Sequence, residues 1–330
     1  MAASPWRSCA AFLFASAPMA LIGGILSLAG SILTAWAAMA DQGAETSQAR
    51  LSTAQQLLAY SLPIVAANLL YTAIPLANRA LITHLYGFAE TGQFSLAYDL
   101  GLRAVLALGS AMDVLLFQMA VRAHETHGLD RAKAQIARNM IAVLVLACAG
   151  IWATLPSIEQ LIVPLQYRGP FAHFLALLLP GLCATGMIHF AVNPIFQIGK
   201  KTAPVIGAAL IGGAMNGVLV LLLAGGADAS GFAIAQSGAG IASLAALLAF
   251  AARTRPHWPV LRDLAAIAIS TGAMVLVLLP LHKATPGMLT LAAEIVVGIA
   301  VFATLTLAFD AIGLRQLLIA RLFAKPAEAR

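Results

Sequence analysis

The chain has 330 residues, 61% of them hydrophobic and only 10% charged, with a mean hydropathy of +0.90. A soluble domain carries about 25% charged residues, and a membrane β-barrel is written in short alternating segments, so the composition excludes both. The net charge of +6 sits mainly in the links between apolar runs, which points to membrane topology rather than nucleic-acid binding.

A hydrocarbon core of about 30 Å needs about 20 apolar residues per crossing helix. The sequence supplies such runs at roughly 11–38, 60–83, 93–121, 139–156, 171–195, 203–224, 230–252, 263–282 and 289–310. The predicted class is therefore all-α: a polytopic transmembrane helical bundle of about nine spans. The first run, in segment 1–40, is too long for a signal-peptide core of roughly 7–15 residues and reads as a transmembrane helix. Segment 41–59 (DQGAETSQARLSTAQQ and the next three residues) reads as a linker into the second span. Ser52/Gln55 and Thr53/Gln56 have capping-box spacing and predict a helix start there. Residues 60–312 form the main transmembrane lobe, and 313–330 a basic tail whose LRQLLIARLFAKP suits a short interfacial helix.

With these spans, fourteen Lys and Arg fall on one side and three (Arg7, Arg168 and Lys283) on the other. The positive-inside rule then places the C-terminus in the cytoplasm and, with nine spans, the N-terminus outside. Gly213 and Gly217 in the sixth span, and Gly23, Ser27 and Ser31 in the first, have the four-residue spacing that lets helix backbones approach, within the chain or between copies. Cys9, Cys148 and Cys183 lie in or beside apolar runs without CxxC spacing and read as packing residues.

Two further arginines, Arg79 and Arg103, sit inside apolar spans, where an ionised side chain costs about 2.5–3.5 kcal/mol and normally faces a cavity or a partner. Asn68, Thr72 and Arg79 share one helical face, with Pro75 among them as an expected kink. Asp99 precedes Arg103 by four residues, the favourable acid-before-base order, with Ser110 and Asp113 near the same stripe. His189, Asn193 and Gln197 recur every four residues beside Pro194. Three polar stripes of this kind are what one hydrated cavity requires. The bland alternatives are a self-neutralised Asp99–Arg103 pair, an Arg79 that snorkels to the interface, and a hydrogen-bonded interior His189. No HExxH, GxSxG or Walker loop is present, so the sequence predicts neither an enzyme nor a metal or other cofactor.

Residues of about 57–255 resemble the C-terminal half of the polysaccharide flippases, the O-antigen and exopolysaccharide branch of the multidrug/oligosaccharidyl-lipid/polysaccharide exporter superfamily. The resemblance rests on NRALITHLYGFAETGQFSLAYDLGLR (78–103), FQMAVRAHETHGLDRAK (117–133), YRGPFAHFLALLLPG (167–181) and NPIFQIGKKTAPV (193–205). It implies one lobe plus one helix of a two-lobe exporter: the first span as the last helix of an N-terminal lobe, then six core helices and two extra. It also implies flipping of an undecaprenyl-diphosphate-linked oligosaccharide in a bacterial inner membrane, alongside polysaccharide polymerase and glycosyltransferase machinery. On that resemblance Arg79 and Arg103 contact the diphosphate, and Asp99 and Asn68 shape the cavity. Asn78 stands where the family shows a charged residue, and His189 and Asn193, from the polar stripe of the fifth span, complete the candidate substrate-binding set. A lone lobe would homodimerise, pair with a separate N-terminal half, or be a nonfunctional truncation. A membrane scaffold subunit of a polysaccharide-assembly complex and a membrane glycosyl- or acyltransferase are the alternatives.

Overall fold

In lipid the backbone must satisfy its own hydrogen bonds, and apolar runs of this length do so as helices. The computed structural model describes residues 17–40, 47–127, 141–142, 144–193, 196, 202–253, 261–283 and 285–310, and every regular element among them is helical. The chain divides into two compact units, 1–58 and 59–330.

In the first unit, α1 (Ala17–Ala40) contains no charged residue. Its Ser31 and Thr34 hydroxyls donate back to the carbonyls of Ser27 and Gly30 at 2.8 and 3.0 Å, so these polar groups are satisfied within the helix. The helix α2 (Ser47–Tyr86) is already formed at Ser47. Ser52 and Thr53 thus lie inside it, and the capping-box expectation is corrected.

The second unit continues with α3 (Phe88–His127), α4 (Leu144–Ala153), α5 (Leu155–Ile162), α6 (Pro170–Met187), α7 (Ala203–Leu223), α8 (Ser230–Arg253), α9 (Leu261–Leu278) and α10 (Met288–Ala308). Among the described residues six helices are long and apolar enough to cross a membrane, or seven if α4 and α5 count as one bent span. That bend is 70° at Thr154. Pro156, in the first turn of α5, offers no backbone N–H and ends the straight span that the sequence predicts over 139–156. The chain passes from α6 into a π-helical turn, Ile188–Val192, instead of running on as a regular α-helix. The proposed kink residue Pro194 and the partner Gln197 lie outside the described residues, as do the side chain of Asp113 and the tail 313–330.

The core forms where α6 and α8 meet α3 and α7. Phe94, Phe171, Phe174, Leu175, Leu178, Phe232 and Leu247 are fully buried there. Glycine permits the closest approach: a Cβ on Gly240 would stand 2.7 Å from the Gly181 carbonyl oxygen, and one on Gly181 would strike the Ser237 backbone. The Ser237 hydroxyl donates to the Leu177 carbonyl at 2.5 Å across the same contact. Gly212 of α7 similarly faces Ser243 and the Ala239 carbonyl of α8. Of the two readings of Gly213 and Gly217, close helix packing within the chain is not seen among the described residues. Gly217 faces open space, and the nearest atom to a Cβ on Gly213 is Ile74 Cδ1 at 3.9 Å. A second apolar cluster joins Ile267, Met274 and Leu278 of α9 and Phe302 of α10 to Ala142 and Ala153.

The α7–α8 turn is tied down at both ends. The Tyr86 hydroxyl donates to the Ala224 carbonyl at 2.7 Å, satisfying a carbonyl at the end of α7. The Ser230 N–H donates to Asp228 at 3.0 Å, and hydrogen bonding from Ser230 holds the Asp228 carboxyl below the usual carboxylate range.

Candidate functional site: a charged cleft on α3

Gly87 joins α2 to α3 with φ +89°, a left-handed conformation that favours glycine. Its N–H donates to the Thr83 carbonyl at 3.1 Å, and the Thr83 and Thr91 hydroxyls meet across the turn at 2.9 Å. This hairpin sets Arg79 of α2 beside Asp99 of α3. Arg79 Nη2 donates to Asp99 Oδ1 at 2.5 Å, and the guanidinium lies 5.5 Å from the Tyr98 ring centroid. The pair is part-buried, with 25% of the Arg79 and 46% of the Asp99 side chain exposed. Asp99 is thus neutralised from the neighbouring helix; the intrahelical Asp99–Arg103 pair considered from spacing does not form, and Arg79 has a carboxylate partner. Among the described residues no carboxylate lies within 4.0 Å of Arg103, which is exposed.

Ser95, Asp99 and Arg103 recur every four residues, so they share one face of α3. They line a cleft of about 420 Å³ with Gly92, Leu96 and Leu100, and Pro164 and Tyr167 complete the lining. The latter two belong to the short connection between α5 and α6, which is hydrogen-bonded throughout. Tyr167 N–H donates to the Pro164 carbonyl at 2.9 Å, and Arg168 donates to the Val163 and Gln160 carbonyls at 3.0 and 2.6 Å. Glu159 Oε1 accepts from Gly169 N–H at 2.7 Å and Ala172 N–H at 3.1 Å, capping α6 where its first amides have no helical partner. The result is a hydrogen-bonded wall that lines the cleft together with Arg103. Chemically, the cleft offers a free guanidinium, an adjacent ion pair, a hydroxyl and an aromatic ring, a set suited to an anion attached to something larger and polar.

Arg79, Asp99 and Arg103 are therefore brought together, and the other predicted site residues are placed elsewhere. Asn78 is fully buried in an amide cluster: its Nδ2 donates to Asn216 Oδ1 at 3.0 Å and to Gln236 Oε1 at 2.7 Å, and Asn216 Nδ2 donates back at 2.9 Å. Asn68 is exposed on α2, its carbonyl accepting the Thr72 hydroxyl at 2.9 Å. The His189 ring meets Tyr71 edge-on at 6.2 Å, and Asn193 is buried with its Oδ1 unpartnered. Sequence inspection passed over Tyr98, Tyr167, Asn216 and Gln236. Asn216 and Gln236 carry the plainest missed signal, each an isolated amide in an apolar span.

The sequence matches no protein-family profile and no curated protein. Among solved structures it is similar to "Lipid II flippase MurJ, inward closed conformation", with a TM-score of 0.62 and 17% identity over 78% of this chain and 53% of that one. The chain thus spans about half the length of that structure, and the likeness shows that it shares the helical fold of that half.

Proposed function

We propose that this chain is a transporting lobe that takes the diphosphate of a lipid-linked oligosaccharide in the α3 cleft during passage across the membrane, in cell-surface polysaccharide biosynthesis. The observation that carries the proposal is Arg103: an exposed guanidinium on α3, a helix that is not among the six apolar enough to cross a membrane but lies where the sequence predicts the span 93–121, without a carboxylate within 4.0 Å among the described residues and lining a cleft with an ion pair beside it. Such a charge is costly against lipid and favourable against a phosphate. The helical likeness to half of a lipid II flippase supports the same reading. The remaining wall of a closed path would come from a second lobe, either another copy or a separately encoded half, and the membrane would be a bacterial inner membrane with the C-terminus cytoplasmic. Asn68, His189 and Asn193 would act on the substrate only if the lobe rearranges, because they lie off the cleft.

The test is binding of a fluorescent polyprenyl-diphosphate oligosaccharide to the purified chain, paired with surface-polysaccharide output in cells. Saturable binding that is lost in Arg103→Ala, together with loss of surface polysaccharide at unchanged protein level, is the expected result. No binding by the wild-type chain, or surface polysaccharide unaffected by replacing both arginines, would overturn transport and leave the scaffold role.

A further inference from the structure

Two cysteines that the cleft does not use lie together inside the lobe. Cys148 of α4 is buried and Cys183 of α6 is half-buried, and both are free thiols. Their helices meet at the level of the two thiols. Cys183 Sγ lies 3.9 Å from the carbonyl oxygen of Leu144, the residue one turn before Cys148. One turn after Cys183, a Cβ on Gly186 would stand 2.9 Å from Leu144 Cδ2, so α4 and α6 approach closely at this level. Two thiols on tightly packed neighbouring helices meet the first requirement for a covalent link, which is reach.

We propose that Cys148 and Cys183 form a dithiol modification site that a bilayer-soluble quinone closes to a disulfide. Each thiol gives up a proton, one S–S bond forms, and the quinone takes up the two electrons and two protons to become a hydroquinone. The oxidant class follows from the location: the thiols sit among the apolar side chains of the lobe, where an apolar two-electron oxidant partitions in preference to a charged one. Closure joins α4 to α6 and makes a covalent loop of everything between them. That loop holds the Thr154 bend, the Glu159 cap, and Pro164 and Tyr167 of the cleft. The disulfide therefore tethers one wall of the cleft from behind, without touching its charges.

The experiment treats the full chain in detergent with decylubiquinone, blocks remaining thiols with N-ethylmaleimide, and maps peptides by mass spectrometry without reduction. A Cys148–Cys183 peptide two hydrogens lighter than its parts is expected, reversible with a phosphine reductant and absent from C148S and C183S. Hydrogen exchange should slow in the segment between the two cysteines of the oxidised wild type and stay unchanged in the treated serine variants. Recovery of Cys148 and Cys183 as separate maleimide adducts from folded, oxidised protein would overturn the proposal. So would preferential linkage of either one to Cys9 or to a second copy.

Discussion

Asp99 accepts from Arg79 on the preceding helix at 2.5 Å, and Arg103, one turn further along its own helix, is left facing the cleft. These three charges thus resolve into one pair and one cation without a carboxylate partner among the described residues, all on the α2–α3 hairpin. Proximity in sequence would have matched Asp99 with Arg103. The hairpin geometry set by Gly87 matches it with Arg79 instead.

That partition predicts unequal effects. Arg103→Ala should weaken binding of a lipid-diphosphate probe by about 1.5–3 kcal/mol, the worth of a hydrogen bond to a charged group. Asp99→Asn should tighten binding by freeing Arg79, while lowering the melting temperature through loss of the interhelical pair. Titrations of the probe against each purified variant measure the first effect, and thermal unfolding in detergent the second. Equal affinities for wild type and both variants would rule out this division of roles.

The amide cluster predicts a stability pattern. Asn216→Ala leaves the buried Asn78 Oδ1 without its donor, while Nδ2 keeps only Gln236, at a cost of about 1–3 kcal/mol. Replacing Asn78 and Asn216 by Leu and Gln236 by Met together should cost less than the single change, because no orphaned polar group remains. Melting curves of the two variants decide between them, and a triple variant less stable than Asn216→Ala would contradict the account.

Glycine substitutions should separate packed from open positions. Gly181→Ala drives a methyl group into the Ser237 backbone and should destabilise by about 1–3 kcal/mol. Gly217→Ala faces open space and gains helix propensity, so it should be neutral or slightly stabilising in the isolated lobe. Thermal unfolding of the two alanine variants checks the contrast.

Asp228 predicts an acid-side dependence. Its carboxyl is held below its ordinary value of 3.8 by hydrogen bonding from Ser230. A depressed folded value means that its stabilising contribution is complete above the ordinary value and is lost as pH falls through the lower one. Melting temperature measured from about pH 6 downward should decline in that acid range. Asp228→Asn should remove part of the decline, and an identical profile for the variant would show that the Ser230 contacts contribute nothing.

The helices were legible because hydrophobic length and charge scarcity decide membrane spans almost alone. The charged face of α3 was legible too, since Asp99 and Arg103 repeat at helical spacing. Partners across helices were not. Asn78 and Arg79 are adjacent in sequence and point to different neighbours, one to Asn216 and Gln236 and the other to Asp99, and no single-helix periodicity distinguishes those directions. The bend at Thr154 had a visible cause in Pro156, but hydropathy continues through it and conceals the break. Tyr167 lay in a connecting segment, where position over the cleft depends on the Glu159 cap and the Arg168 hydrogen bonds rather than on any local pattern.

Successive residues on an α-helix are rotated by about 100°. Asn78, clamped by three amide hydrogen bonds, therefore fixes the azimuth of α2, and with it the direction in which Arg79 leaves the helix. The uncharged cluster acts as a key that indexes the charged residue beside it. Any roll of α2 about its own axis would have to break the amide cluster before it could separate Arg79 from Asp99, so both events would occur as one step.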